Sequence, residues 1–212
     1  MEINSLTFLY LFLPAALVVF NLTPQKFKNS VLALISLVFI VFSQPQNFVF
    51  FLADILLLFI ISKAMSANSE KNKTKKLLLI LSIAFNTVII IVSSVTNQLS
   101  GGFAPFAAMV ISFTAIGYFV DIYKNEAEPI NSFSDFVVFL AFFGKLSRGP
   151  LVRAKDIKYF PNYERFSLSE TGNGLYFFIR GLAKYVILAL PLAQLHEELL
   201  RYGKRTWKML RA

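Results

Sequence analysis

The sequence predicts an all-α, polytopic integral membrane protein with about five transmembrane helices followed by re-entrant or interfacial helices. Three observations predict this class. Of the 212 residues, 56% are hydrophobic and only 16% are charged. Residues 3–25, 29–53 and 77–120 contain no Asp, Glu, Lys or Arg, and about 20 apolar residues suffice for a helix to cross a bilayer. The basic residues lie in short segments between these runs, as in the cytoplasmic loops of membrane proteins.

Composition also excludes several kinds of site and partner. The chain has no Cys, which excludes disulfide frameworks, thiolate zinc sites and cysteine nucleophiles, and no metal site is predicted. The formal charge of +9 is explained by topology and by attraction to anionic lipid. We therefore expect the lipid bilayer as a partner and no nucleic acid. Because the first residues carry Glu2 and no Lys or Arg, the first apolar run is not typical of a cleaved signal.

The first three predicted helices are separated by short polar turns. Leu6 to Phe20 forms the first, with a kink expected at its internal proline, and Val31 to Ser43 forms the second. The third, Phe48 to Ile61, contains Asp54. An acid at membrane depth costs several kcal/mol unless it is solvated or paired. Since Asp54 follows the turn at Pro45 closely, we expect it near the interface and in contact with water.

The strongest topological marker is the segment 63–76, which carries five Lys and a single Glu. Its composition predicts a cytoplasmic loop, followed by a fourth helix over Leu77 to Val95 and a fifth over Phe103 to Tyr123. Tyr118 and Tyr123 then lie at interfacial depth, where aromatic residues are enriched. This arrangement predicts a multi-pass protein of the inner (plasma) membrane with its amino terminus outside.

The pattern becomes irregular after Lys124, which divides the sequence into a transmembrane bundle, 1–124, and a re-entrant and interfacial segment, 125–212. Ser132 to Asp135 offers helix-capping residues, but the apolar run Phe136 to Phe143 is too short to cross a bilayer. We expect it to enter the membrane without crossing. A basic, broken segment follows, and such backbone at membrane depth is tolerated only where protein or water surrounds it. The residues of this candidate site are Lys145, Arg148, Gly149, Pro150 and Arg153.

The last long apolar run, Gly174 to about His196, carries two internal cations. Arg180 and Lys184 are four residues apart and share a helical face, which must be wet or paired. Residues 194–212 place apolar side chains on one face and basic ones elsewhere, which predicts an amphipathic helix on the membrane surface.

Three consecutive segments resemble the amino-terminal half of membrane-bound O-acyltransferases. They are 112–124 (SFTAIGYFVDIYK), 131–143 (NSFSDFVVFLAFF) and 146–153 (LSRGPLVR). The family pattern is an aromatic helix ending Tyr-x-x-Asp-x-Tyr, a loop, then Phe-Phe-x-x-Leu-x-x-Gly-Pro-x-x-Arg. Gly172 to Leu192 also resembles the Gly-Leu-x-Lys helix of the family. The branch that these segments resemble most contains the alginate O-acetylases.

The resemblance implies transfer of an acyl group, usually acetyl, from a cytoplasmic thioester such as acetyl-CoA to a hydroxyl of a surface polysaccharide. No bound cofactor is implied. Arg148 and Arg153 would attract the phosphates of the donor, or else contact lipid headgroups. Asp121 would pair with Lys145 or Arg148, or be an ordinary interfacial acid. Tyr118, Arg180 and Lys184 would support the site.

The family uses a His at membrane depth as general base, and its position is well downstream of the Gly-Pro segment. The single His of this chain, His196, stands in Gln-Leu-His-Glu-Glu-Leu and does not match that motif. We expect it on the exposed face of a surface helix, and no catalytic residue is predicted. The chain is therefore expected to be a truncated or split family member. Two alternatives stay open, a non-catalytic membrane scaffold or pseudoenzyme and a small transporter.

Overall fold

The computed structural model describes residues 5–43, 45–67, 72–100, 106–146, 151–156 and 168–209. Within these ranges every regular element is helical, as predicted. The α-helices are α1 (Leu13–Leu22), α2 (Lys28–Ser43), α3 (Phe48–Ala67), α4 (Asn72–Ser100), α5 (Phe106–Tyr123), α6 (Phe133–Ala141), α7 (Phe143–Leu146), α8 (Leu168–Lys184) and α9 (Leu190–Met209). Short π-helical turns precede α1 (Phe8–Phe12) and α9 (Tyr185–Ala189), and 3-10 turns occur at Gln25–Phe27, Pro45–Asn47 and Ala154–Asp156.

Several of these helices are suited to a membrane. Four stretches are long and apolar enough to cross one, Gln25–Ser43, Phe48–Ala67, Lys73–Val95 and Thr171–Leu200. Two shorter apolar helices, Phe8–Leu22 and Ala107–Tyr123, coincide with the first and fifth predicted spans. These lengths support a helical membrane protein. The number of crossings and their orientation stay predictions.

The helix boundaries depart from the predicted ones where the sequence is polar. α3 continues to Ala67 and α4 already begins at Asn72, so most of the Lys-rich segment is helical, because Lys and Ala have high helix propensity. Near the amino terminus, the N–H of Leu13 donates to the carbonyl of Phe8, a π-type bond five residues back. This π-helical turn adjoins Pro14, where the backbone lacks a donor.

The chain divides into two compact units, Met1–Tyr163 and Glu164–Ala212. The first contains α1 to α7, and the predicted division after residue 124 falls inside it. In the first unit α6 packs against α2, α3 and α5, and α7 packs against α2 and α5. The second unit contains α8, the π-helical turn and α9, and most of its described side chains between residues 169 and 200 are exposed.

The short helix α6 lies in the interior of the first unit. Its residues from Phe136 to Ala141 are all buried, as expected for a helix that is apolar on every side. Rings of neighbouring helices surround it. The Phe59 ring centroid lies 5.4 Å from that of Phe136, and Tyr118 lies 5.4 Å from both Phe136 and Phe139. Phe side chains, which are abundant in the sequence, thus fill much of this core.

The start of α6 differs in detail from the predicted cap. Ser132 is the N-cap residue, but its side chain makes no capping hydrogen bond. Its hydroxyl instead lies 2.8 Å from that of Ser134. The carboxylate of Asp135 accepts a 2.7 Å hydrogen bond from the amide nitrogen of Asn29 at the start of α2. Asp135, in the first turn of α6, therefore attaches this helix to α2.

The expectation of a solvated Asp54 is wrong. Its exposed fraction is 3%, because it lies on the same face of α3 as Phe51, Ile55 and Leu58, and this face packs into the bundle. Proximity in sequence to a turn did not indicate which face of the helix would carry the acid.

Candidate functional site

Tyr118 joins three parts of the first unit through its hydroxyl group. It is completely buried on α5, with its hydroxyl oxygen 2.6 Å from that of Ser62 on α3. The same oxygen accepts a 3.0 Å hydrogen bond from the backbone N–H of Ile130. Tyr118 was predicted at the interface, and the structure shows that protein covers it on every side. Its hydroxyl holds the connection between α5 and α6 against α3.

Asp121 lies one turn further along α5 and fixes the segment 151–156. Its carboxylate is fully buried, and its Oδ1 atom lies 2.6 Å from Nη2 of Arg153. Its Oδ2 atom accepts a hydrogen bond of 3.3 Å from the backbone N–H of Lys155. Both oxygens are therefore occupied. The Arg153 side chain keeps 45% of its surface exposed, so the residue that pairs with Asp121 also reaches solvent.

This pairing differs from the predicted one, in which Asp121 meets Lys145 or Arg148. Lys145 is unavailable because it points into the bundle, with an exposed fraction of 6%. Its ammonium donates to the carbonyl of Phe139 and lies 5.1 Å from the centroid of the Phe139 ring. Arg148 lies outside the described residues, together with Gly149 and Pro150.

Lys145 stabilises the break between α6 and α7. The last carbonyl groups of a helix have no partner within it, and the Lys145 ammonium supplies one to the last turn of α6. The N–H of Phe143, at the start of α7, donates to the hydroxyl of Ser36 on α2 at 3.2 Å. The broken backbone is thus satisfied within the protein.

A cleft of about 550 Å³ opens at the end of α5. Its lining comes from the end of α3, the start of α4 and the end of α5 with the loop that follows; the residues are Met65, Ser66, Lys75, Ile122, Asn125, Glu126, Ala127, Glu128 and Pro129. The three helix ends therefore lie together.

One wall of the cleft is a tight turn after α5. Asn125 adopts a left-handed conformation with φ of 58°, which Asn tolerates better than most residues. The N–H of Glu126 donates to the carbonyl of Asp121 at 2.9 Å, which closes the end of α5. Lys75 donates a 2.7 Å hydrogen bond to the side-chain oxygen of Asn125. Glu126 forms an exposed ion pair of 3.3 Å with Lys155.

The remaining predicted residues belong to the second unit. Arg180 and Lys184 both lie on α8, as predicted, and are exposed. The Arg180 guanidinium lies 5.3 Å from the centroid of the Tyr176 ring. His196 is exposed on α9. In the described part of the chain, His, Asp and Glu side chains form no group of three that could hold a metal ion.

Two hydrogen bonds between these helices were not predicted from the sequence, the one between Ser62 and Tyr118 and the one between Lys75 and Asn125. Ser62 is a polar residue within an apolar helix, which is a signal for a buried hydrogen bond, but its partner Tyr118 is far away in sequence. The bond between Lys75 and Asn125 was harder to predict, because both residues lie in polar segments whose composition is typical of solvated loops.

The chain is similar to curated proteins named probable alginate O-acetylase AlgI. It is 27% identical to the one from Pseudomonas fluorescens over 196 residues, 91% of this chain and 40% of that protein. It is 24% identical to the one from Pseudomonas aeruginosa over 213 residues, 92% of this chain and 41% of that protein. For Azotobacter vinelandii the identity is 25% over 211 residues, 91% of this chain and 42% of that protein.

The chain therefore spans about 40% of the length of the curated relatives it matches. No family model matches the chain. No solved structure matches it.

Proposed function

We propose that this chain forms the acyl-donor side of a membrane-bound O-acyltransferase. The enzyme would move an acyl group, acetyl in the simplest case, from a cytoplasmic thioester such as acetyl-CoA to a hydroxyl of a surface polysaccharide. The observation that carries this proposal is similarity along 91% of the chain to proteins named probable alginate O-acetylase. The proposed location is the inner (plasma) membrane, with the amino terminus outside.

The donor would bind at the basic segment that follows α7. Arg153 is suited to this role because the buried carboxylate of Asp121 binds its guanidinium while 45% of its side chain stays exposed. A guanidinium held in place pairs well with phosphate, since its planar donors match phosphate oxygens. In this proposal Arg148 contributes a second positive charge.

Asp121 and Tyr118 would position this segment without touching the donor. Asp121 binds both the side chain of Arg153 and the backbone of Lys155, so it sets the position of the segment relative to α5. Lys145 would keep the end of α6 in place through its bond to Phe139. These residues would affect transfer through the geometry of the donor site.

Transfer to a hydroxyl also requires a general base. A His is suited to this role because its pKa lies near neutrality. The chain contains one His, His196, which is exposed beside Glu197 and Glu198 on α9. The proposal assigns no residue of this sequence to that role and limits the chain to binding and positioning.

The test is a gene deletion in the source organism, complemented with wild-type and variant genes. The measurement is the amount of acyl ester released from purified surface polysaccharide by mild alkali. We expect the deletion to abolish ester and the wild-type gene to restore it. Arg153→Ala should restore less than about a tenth, because losing a charge-assisted bond to phosphate costs about 1.5–3 kcal/mol.

Lys26→Ala is the matched control, since Lys26 is an exposed cation of a predicted cytoplasmic loop and has no role in the proposal. It should restore ester fully. Immunoblots of the membrane fraction would show that each variant is present at the wild-type level. An unchanged ester content in the deletion strain would rule out the proposed function.

A further inference from the structure

Three neighbouring helices of the first unit each bury an oxygen that has no hydrogen-bond partner. Both carboxylate oxygens of Asp54 on α3, the amide oxygen of Asn86 on α4 and the hydroxyl of Ser112 on α5 lack one in the described part of the chain. The exposed fraction is 3% for Asp54 and zero for Asn86 and Ser112. The three helices pack on one another. Buried polar groups without partners are rare in proteins, so each one requires an explanation.

The packing of α3 and α5 brings Asp54 and Ser112 to nearly the same depth. The carboxyl-terminal ends of α3 and α5 line the same cleft, and Ser62 of α3 is hydrogen-bonded to Tyr118 of α5. From that bond, Asp54 lies about 12 Å back along α3 and Ser112 about 9 Å back along α5, at 1.5 Å per residue. The axial difference of about 3 Å is less than one helical turn.

Asn86 lies at the same depth on the antiparallel helix α4. The ammonium of Lys75, near the start of α4, lies 6.0 Å from the centroid of the Tyr123 ring at the end of α5. Asn86 and Ser112 each lie eleven residues from this contact, which is about 16 Å along their helices. The three unpartnered side chains therefore occupy one layer of the three-helix interior.

The orientation of the Asn86 amide is fixed by its hydrogen bond. Its nitrogen donates to the backbone carbonyl of Ser82 at 2.8 Å, and a carbonyl can only accept. The side-chain oxygen is therefore the atom that remains without a partner. With the Asp54 carboxylate and the Ser112 hydroxyl it makes a set of oxygen ligands, which hard cations prefer.

Among the described residues, no cation is bonded to either oxygen of Asp54. Lys63, on α3 itself, lies nine residues away, which is about 14 Å along the helix. The buried Lys145, on the α7 helix that packs against α5, donates to the carbonyl of Phe139. On the elements packed against α3, the charged groups are Lys73, Lys75 and Lys76 at the start of α4, Asp121 at the end of α5 and Asp135 at the start of α6; the turn Pro45–Asn47 has none. Lys75 is about 16 Å away along α4. An unpaired carboxylate in an apolar interior is strongly destabilising, so a bound cation must neutralise it.

We propose that Asp54, Asn86 and Ser112 form a buried binding site for a monovalent cation, either H⁺ or Na⁺. The site is separate from the donor segment at Arg153 and does not depend on the proposed acyl transfer. Its ligands come from three helices, so a bound cation stabilises their packing. Binding to the folded state alone raises the unfolding temperature in proportion to the logarithm of ligand concentration.

The test is thermal unfolding of the purified 212-residue chain in lipid nanodiscs, followed by circular dichroism. The buffers contain NaCl or choline chloride at equal ionic strength, each at pH 5.5 and pH 8.5. A Na⁺ site predicts a higher unfolding temperature in NaCl than in choline chloride at pH 8.5. A site for H⁺ alone predicts a higher temperature at pH 5.5 than at pH 8.5, with no effect of Na⁺.

Asp54→Asn should abolish the dependence of the unfolding temperature on Na⁺ or pH that the wild type shows, because it replaces the carboxylate by a neutral group of similar size. Asp135→Asn is the control, since Asp135 is an acid that already has a partner, and it should keep the wild-type dependence. The proposal is overturned if Asp54→Asn responds to Na⁺ and pH as the wild type does. It is equally overturned if the wild type responds to neither.

Ser112→Ala provides a second variant that removes one ligand and keeps the acid. It should raise the Na⁺ concentration needed for half of the stabilisation by about three- to tenfold, which corresponds to one hydrogen-bond-sized contact. If the site takes only H⁺, the pH at which half of the change in unfolding temperature has occurred should shift by about half a unit or more. An unchanged half-effect concentration or pH would show that Ser112 is not a ligand and would contradict the three-residue site.

Discussion

Two polar layers of the first unit are built on the same helices in opposite ways. In the layer near the end of α5, Tyr118 and Asp121 are fully buried and each has its polar atoms bonded. In the deeper layer, Asp54, Asn86 and Ser112 are equally buried, but their oxygens have no partner within the described residues. Satisfied buried groups fix a structure, whereas an unsatisfied buried group requires a separate explanation. Our proposals therefore assign a positioning role to the first layer and cation binding to the second.

The largest effect on the satisfied layer is expected from Arg153→Ala. Among the described residues, it leaves the buried carboxylate of Asp121 with the backbone N–H of Lys155 as its remaining partner, and depriving a buried charged group of a partner costs about 3 kcal/mol. Chemical denaturation in detergent micelles would measure the free energy of unfolding. Asp121→Asn should cost less, because the arginine that remains reaches solvent. The opposite order would show that the carboxylate is not the buried partner.

A smaller loss is expected from Tyr118→Phe, by about 2 kcal/mol. The substitution keeps the ring packing against Phe136 but leaves the Ser62 hydroxyl and the Ile130 N–H without their shared partner. Ser62→Ala is the matched variant and should cost about 1 kcal/mol, since Tyr118 keeps its bond to Ile130. The same denaturation assay compares the two. Equal stability of Tyr118→Phe and wild type would mean that this hydroxyl does not connect α3 to the loop.

The smallest effect is expected from Glu126→Gln, which breaks the pair with Lys155. Both side chains are more than a third exposed, and exposed ion pairs contribute about 0.2–1 kcal/mol that salt screens. The change should lower the free energy of unfolding by no more than about 0.5 kcal/mol, with no difference left in 0.5 M salt. If the free energy of unfolding fell as far as it does for Arg153→Ala, this exposed pair would be as important for stability as the bonds of Asp121.

The sequence predicts well the features that depend on local hydrophobicity. The long apolar runs became α2, α3 and α4. Most of the run from Phe136 to Phe143 became part of α6, a helix too short to cross a bilayer alone, and the last residue of the run begins α7. Its central position also follows from its pattern, because a segment apolar on every side has no face suited to water. Ends of helices were less predictable, and α4 begins within the Lys-rich segment that was assigned to a loop.

The partners of polar residues depend on how the helices pack, which the sequence does not display. Asp121 pairs with Arg153 because the chain after α7 returns to the end of α5, and no local pattern indicates that return. Asp54 was expected in water because of its position near a turn, but the face of α3 that carries it points inward. Lys145 was predicted to belong to the donor site because it lies in a basic segment, but its ammonium instead stabilises the end of α6.

The donor-side role is tested most directly by acyl transfer in membranes of the source organism. Inverted membrane vesicles would be supplied with acetyl-CoA carrying a radioactive acetyl group, and label in alkali-labile ester on the polysaccharide would be counted. We predict label with the wild-type gene, a loss of at least about tenfold with Arg153→Ala, and none in the deletion strain. Equal label in vesicles from the deletion strain and from the wild type would contradict the proposed function.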